Sequence, residues 1–189
     1  MKLLRVSPVE FLAPLSKPPE RLSVSEVQGS FGTLYIAGTQ QGIVSISFAF
    51  SIDHFAQKLR DEWGSDIIRD RGLFPETLDS LRSYLNGDRD PIRATIQPVM
   101  ENKFTIKVHT ILTRIPYGKA YTYLDIAKAL GSPSHARAVG GACQKNQTLI
   151  VVPCHRVIAV HGLGGFSSGL KLKQRLLEHE GIVIGGKRR

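Results

Sequence analysis

The rhythm of apolar and polar positions changes twice along this chain of 189 residues. Two β-branched runs, Thr33-Leu34-Tyr35-Ile36-Ala37 and Ile43-Val44-Ser45-Ile46-Ser47-Phe48, flank the turn-rich Gly38-Thr39-Gln40-Gln41-Gly42 and predict the strands of a hairpin. Ser51 then offers a helix N-cap, and Phe55, Leu59 and Trp63 recur every fourth position on what would be the buried face. Pro75 opens a second helix whose stripe is Leu78, Leu81 and Leu85 and whose stop is Gly87. The tract through Pro14, Pro18 and Pro19 reads as extended or poorly ordered, and the polar Asn86-Gly87-Asp88-Arg89-Asp90-Pro91 as a join. Nothing before residue 100 groups side chains for catalysis; the leucine and aromatic stripes read as core.

Past the join the pattern becomes helical. Phe104, Val108, Ile111 and Leu112 give Lys103–Arg114 one apolar face, which Ile115-Pro116-Tyr117-Gly118 ends. A shorter one-sided stretch, Tyr123–Leu130, stops at Gly131. Ser132 and Pro133 then supply an N-cap and first turn for His135–Ala142. Two helices across a tight Gly-containing turn predict a helix-turn-helix. The second is built almost wholly of small residues, with Arg137 as its one long cation near the middle. Interior glycines cost a helix about 1 kcal/mol each relative to alanine, so Gly140-Gly141 points to close backbone approach, either to a core or to a nucleic-acid groove. The apolar Leu149-Ile150-Val151-Val152 predicts a short buried strand ended by Pro153, and a last helix is expected over Lys171–Glu180.

Charge sharpens the division. Residues 1–95 hold 11 Lys and Arg against 12 Asp and Glu, whereas residues 96–189 hold 14 against 4, so the whole net charge of +9 lies in the second half. That asymmetry fits a polyanion-binding second half. No apolar run approaches the ~18 residues of a membrane span, and Met1–Arg5 has no secretory character. With only Cys143 and Cys154, neither a disulfide framework nor a zinc site is expected, and the chain reads as intracellular.

The chemistry centres on Pro153-Cys154-His155-Arg156-Val157. A free thiol has a pKa of ~8.5 and needs a base or a nearby cation to become a nucleophile; here an imidazole and a guanidinium follow at once. Neighbours on a strand face opposite ways, so the chain must turn at the cysteine for both groups to serve one site, with a water to bridge them. Cys143 reads as packing. The residues alone leave several readings open: a buried structural cysteine beside a surface histidine, a regulator that uses only the helix-turn-helix, and a nucleophilic thiol such as that of a cysteine hydrolase.

Several segments together resemble the O6-alkylguanine-DNA alkyltransferases (methylated-DNA–protein-cysteine methyltransferases). They are Ile115-Pro116-Tyr117-Gly118, Thr122-Tyr123, Ala136–Ala142, Asn146, Pro153–Val157, Gly164–Leu170 and Leu176–Gly181. The resemblance covers most of residues 102–182 in the family's order. It implies an α+β protein: a small RNase H-like α/β domain over residues 1–95, then a mostly helical, winged-helix-like domain with the helix-turn-helix over residues 96–189. It also implies single-turnover transfer of an alkyl group from O6-alkylguanine in duplex DNA, the base swung out of its stack, to Cys154. His155 would be the base through a water, Glu180 the group that polarises it, and Asn146 the holder of the turn. Tyr123 and Thr122 would meet the extruded nucleotide and Ala136 would line the narrow helix. Arg137 would fill the gap in the duplex, and Val157, Phe166, Ser167 and Ser168 would line the base. Phe166 departs from the family's usual tyrosine, which removes a hydroxyl contact there. No cofactor or metal is implied. The expected partner is double-stranded DNA, with O4-alkylthymine as a second lesion, and no membrane. The protein is expected as a monomer in the cytoplasm, or in the nucleus of a eukaryote.

Overall fold

The computed structural model describes residues 7–184, which fall into two compact units. One is Ser7–Asn102 together with Gln147–Val151; the other is Lys103–Asn146 and the described part of Val152–Arg189.

The first unit is built on a six-stranded sheet. Its strands are β1 (Val9–Phe11), β2 (Arg21–Gly29), β3 (Gly32–Gly38), β4 (Ile43–Ser47), β5 (Asp66–Arg69) and β6 (Ala94–Ile96), in the order β1-β6-β4-β3-β2-β5. β2, β3 and β4 form an antiparallel meander, and β5 and β6 join in parallel on β2 and β4. The expected hairpin is β3–β4, closed by Thr39 N–H donating to Gly42 O at 3.1 Å. β2 is the longest strand, and its sequence does not announce it: after Leu22 and Val24 the alternation puts Glu26 where an apolar residue is expected and shifts to Val27. Two helices follow the expected signals. In α1 (Ile52–Trp63) the Ser51 hydroxyl accepts from His54 N–H at 3.1 Å, and α2 (Pro75–Leu85) starts on its proline. Leu22, Val24, Tyr35, Val44, Phe55 and Leu59 pack as one cluster between meander and α1.

Two local expectations for this unit are revised. The proline tract is ordered, with bends at Ser16-Lys17 and Glu20, and is tied down: Leu12 N–H donates to Ile96 O and Leu15 N–H to Pro98 O, both at 2.8 Å. Asn86–Pro91 lies inside the unit, which continues through β6 to Asn102, and a cut between residues 95 and 96 would divide β6.

Leu149–Val152 is fully buried but is not a strand. Gln147 O and Leu149 N–H bond both backbone groups of Ile46 on β4, after which Ile150 turns the chain with φ 72°. Apolarity reported burial correctly; a run this short carries no period by which to tell strand from turn.

The second unit holds α3 (Lys103–Leu112), α4 (Tyr123–Ala129), α5 (Ala136–Gln144) and α6 (Leu170–His179). A two-strand parallel pair completes it, β7 (Tyr121–Thr122) with β8 (Val157–Ile158). α3 buries Thr105, Val108, His109 and Leu112, leaving Phe104 and Ile111 only partly covered. α4 starts in a capping box: Asp125 N–H donates to the Thr122 hydroxyl, and Asp125 Oδ2 accepts from both Thr122 N–H and Thr122 Oγ1. The turn into α5 differs from expectation. Ser132 makes no side-chain cap, Pro133–His135 is a single 3₁₀ turn, and α5 begins at Ala136, which puts Arg137 in its first turn rather than its middle. Val139, Ala142 and Cys143 face inward, and the ring of buried His109 holds Ala142 O at 3.0 Å.

Candidate active site

Proline ends the turn of Leu149–Val152, and Cys154–Arg156 wind into a 3₁₀ turn. The chain therefore turns at the cysteine, as the geometry of a shared site required. Cys154 is 3% exposed, yet its side chain opens on a cavity of about 570 Å³. One wall is the face of α5 that carries Ala136, Arg137, Gly140, Gly141, Cys143 and Gln144; Tyr123, Gly165 and Phe166 form the other. Asn146 Nδ2 donates both to Cys154 Sγ at 3.0 Å and to Val152 O at 2.8 Å, so one amide fixes the sulfur and the turn that presents it.

Behind the cysteine lies a buried network of charge. His155 Nε2 is 2.6 Å from Glu180 Oε1. Arg156 donates Nε to Glu180 Oε2 at 2.8 Å, Nη2 to Oε1 at 3.0 Å and Nη1 to Ile115 O at 2.6 Å. Gly118 N–H gives Glu180 Oε2 a further bond at 3.1 Å, and the Tyr117 hydroxyl donates to His179 O at 2.7 Å. Ile115-Pro116-Tyr117-Gly118 thus receives the end of α6, where Glu180 is the C-cap rather than the last helical residue. A carboxylate at a helix C-terminus is locally unfavourable; the guanidinium and imidazole compensate it.

The protonation states follow from this packing. Burial opposes the charge on Glu180, but the hydrogen bond from His155 and the Arg156 guanidinium outweigh it, leaving the carboxyl at about 2. Burial lowers His155 below its ordinary range despite Glu180, so the ring is neutral at neutral pH. With an ionised carboxylate as its partner, Nε2 carries the proton and Nδ1 is left as an acceptor. Burial pushes the Cys154 thiol up to about 11, against the pull of the Asn146 amide and the Lys173 charge. The adjacent His155 and Arg156 therefore do not depress it as the sequence alone led us to expect. The imidazole is uncharged and the guanidinium is already neutralised by Glu180. The resting thiol is protonated, and its proton needs an acceptor.

Lys173 went unnoticed in the sequence. It is wholly buried and donates Nζ to Val157 O at 2.6 Å and to Gly165 O at 3.1 Å, with Nζ 6.0 Å from the ring centres of both Tyr123 and Phe166. Burial lowers its pKa. A signal existed: Lys173, Leu176 and Leu177 share the i, i+3, i+4 stripe of α6, where a lysine is out of place.

Of the residues picked from sequence, Cys154, Tyr123, Ala136, Arg137 and Phe166 meet around the cavity, and Asn146, His155 and Glu180 stand behind the sulfur. Val157 is buried with its carbonyl engaged by Lys173. Thr122, Ser167 and Ser168 do not line the cavity; the Thr122 hydroxyl serves the α4 cap, and the two serines are exposed before α6. Tyr123 Oη donates to Gly165 O at 3.3 Å. Gly164 is what lets that loop sit so close: its φ is +69°, and a Cβ there would lie 2.9 Å from the Tyr123 ring.

The protein has two compact units, and in the helical one a buried, imidazole-backed cysteine opens on a cavity. Residues 103–182 match the family model described as the 6-O-methylguanine DNA methyltransferase DNA-binding domain. A methylated-DNA–protein-cysteine methyltransferase of Sulfolobus acidocaldarius is 34% identical over 153 residues, 81% of this chain and 89% of the relative. One from Saccharolobus islandicus (strain M.16.27) is 44% identical over 120 residues, 61% of this chain and 75% of the relative. Among solved structures, Mycobacterium tuberculosis OGT in complex with DNA aligns with a TM-score of 0.67 at 30% identity, covering 84% of this chain and 93% of that one. The chain belongs to the methylated-DNA–protein-cysteine methyltransferase family.

Proposed function

We propose that this protein repairs DNA directly, moving an alkyl group, methyl foremost, from O6-alkylguanine in duplex DNA onto its own Cys154, once per molecule. One observation carries the reading: a buried thiol opens on a cavity, and the imidazole that follows it rests its Nε2 on an ionised carboxylate. The sulfur attacks the alkyl carbon in line; the S–C bond forms as the C–O6 bond breaks, and guanine leaves with the electron pair and takes a proton from water, which the His155 imidazolium then resupplies. The thiol proton passes through a water to Nδ1 of His155, and the resulting imidazolium is stabilised by Glu180. Tyr123, whose phenol burial holds above its ordinary range, stays a donor to the departing base. The thioether does not turn over, and the chemistry needs no cofactor or metal.

The lesion must leave the stack to reach Cys154. Arg137, exposed in the first turn of α5, would fill the space it vacates, while the small face around Ala136 lets α5 lie in the minor groove. Phe166 would line the extruded base in the cavity, while Thr122, Val157, Ser167 and Ser168, outside its lining, would contribute only from the segments that border it. A relative that was solved with DNA supports a duplex partner. The antiparallel meander with helix-connected parallel strands supports reading the first unit as an RNase H-like domain. α4, α5 and their turn beside the β7–β8 pair support a winged-helix-like helix-turn-helix in the second. We extend the reading to O4-alkylthymine as a second lesion, to a monomer, and to the cytoplasm or a eukaryotic nucleus. No described helix is long and apolar enough to cross a membrane.

Incubation with duplex containing O6-methylguanine should leave one methyl on the Cys154 peptide by mass spectrometry and none on a Cys154→Ala variant. A folded protein that stays unmodified would overturn the proposal. Arg137→Ala should slow repair of duplex far more than reaction with a free O6-alkylguanine base; equal losses would remove its role in the duplex.

A further inference from the structure

Two thiols face the cavity, and only one of them has a base behind it. Cys143 sits two turns along α5 from Ala136 and is 8% exposed. The α5 residues before it on the cavity wall, apart from Arg137 at the start, are alanine or glycine. Gly140 and Gly141 leave room there: a Cβ at Gly141 would meet nothing within 4 Å, and one at Gly140 only the Tyr123 ring at 3.8 Å. Cys143 is thus the first buried side chain on this wall to project more than a methyl group.

Its position is also fixed. His109 holds the carbonyl of Ala142 at 3.0 Å, and Cys143 O accepts from Asn146 N–H at 3.3 Å. The side chain of that same asparagine holds Cys154 Sγ at 3.0 Å. One residue therefore ties the wall to the reacting sulfur, so the wall cannot retreat independently when a larger group enters. Burial pushes the Cys143 thiol up to about 12, which makes it a neutral, passive surface rather than a second nucleophile.

We infer that Cys143 sets the size of alkyl group that reaches Cys154. This rests on the alkyl-transfer reading above, with Cys143 as a specificity-determining residue that takes no part in bond making. Small changes in a rigid apolar pocket discriminate substrates by about tenfold or more per methylene-sized step.

The test compares transfer rates from O6-benzylguanine and O6-methylguanine, each in the same duplex, and reads their ratio. Cys143→Leu, which replaces the sulfur by a branched carbon bearing two methyl groups, should lower the benzyl-to-methyl ratio by about tenfold or more. Cys143→Ala, which removes the sulfur, should raise it, and the near-isosteric Cys143→Ser should keep it within about twofold of the parent. A ratio unchanged in both the leucine and alanine variants overturns the inference while leaving alkyl transfer intact. Should the leucine variant fail to fold through overpacking, the alanine variant decides alone: a raised ratio supports the assignment and an unchanged one ends it. If the parent protein transfers neither group, the functional reading fails first and takes this inference with it.

Discussion

The two units handle polar side chains in opposite ways. In the sheet unit the buried polar residues are neutral, such as Ser25, Ser45, Thr77 and Gln97. The pairs Lys17–Glu20, Arg21–Asp66, Lys58–Glu62, Arg69–Asp53 and Arg82–Asp79 lie at its surface, each partner at least 52% exposed. The helical unit buries His155, Arg156, Lys173 and Glu180 at 7% exposure or less. Surface pairs contribute about 0–1 kcal/mol each, whereas a buried charge that loses its partner costs several times that. The sheet unit can be explained by apolar packing alone. The helical unit accepts a penalty that packing would have avoided, and it does so around one cysteine, which is where such a penalty points to chemistry.

That contrast can be tested by removing charges from each unit. The largest effect should come from Glu180→Gln, which leaves the Arg156 guanidinium buried without its counter-charge. Unfolding in urea should show a loss of about 3–5 kcal/mol, and alkyl transfer should fall while Cys154 is still present. Full stability in this variant would mean that the network does not support the fold. Lys173→Met keeps the stem and drops the ammonium, taking the Lys173 donor from Val157 O and leaving Gly165 O with the Tyr123 hydroxyl. A loss of about 1–3 kcal/mol is expected, and a neutral or stabilising result would show that the lysine is held for chemistry alone.

The pH dependence should carry the same signature. Glu180 falls from an ordinary 4.5 to about 2 on folding, so its contribution is complete above about 4.5 and is lost as pH falls toward about 2. Cys154 moves the other way, from 9.0 to about 11: the unfolded thiol ionises first, so stability declines as pH rises through that interval. Alkylated protein cannot ionise there and should show a shallower alkaline decline, with the share due to Cys143 remaining. An identical slope before and after alkylation would contradict the assignment of the shift to Cys154. The smallest effect belongs to the sheet unit: Arg82→Ala, which breaks a 2.8 Å pair to Asp79, should change stability by less than about 1 kcal/mol.

Much of the second unit was legible in advance because its functional residues sit in short segments whose order along the chain is itself distinctive. The Ser51 cap and the Pro75 helix start were legible for a different reason: each acts within one helical turn, so the cause lies beside the effect. β2 was missed because Glu26 and the out-of-phase Val27 interrupt its alternation. The supposed strand at Leu149–Val152 failed because burial is a property of composition, whereas strand geometry needs a partner and a register.

The sequence by itself determined the two-part division of charge, the hairpin, and the helices with local caps, and it picked out a thiol, an imidazole and a carboxylate that the structure brings together. Only the tertiary structure decided that His155 and Glu180 meet across 25 positions. It also decided that Lys173 is buried under the aromatic pair, and that the Cys154 thiol is raised rather than lowered. The physical reason is common to all three. Capping and periodicity act between near neighbours, but desolvation and the strength of a charge pair depend on everything that packs around a group, and that environment exists only once distant segments have come together.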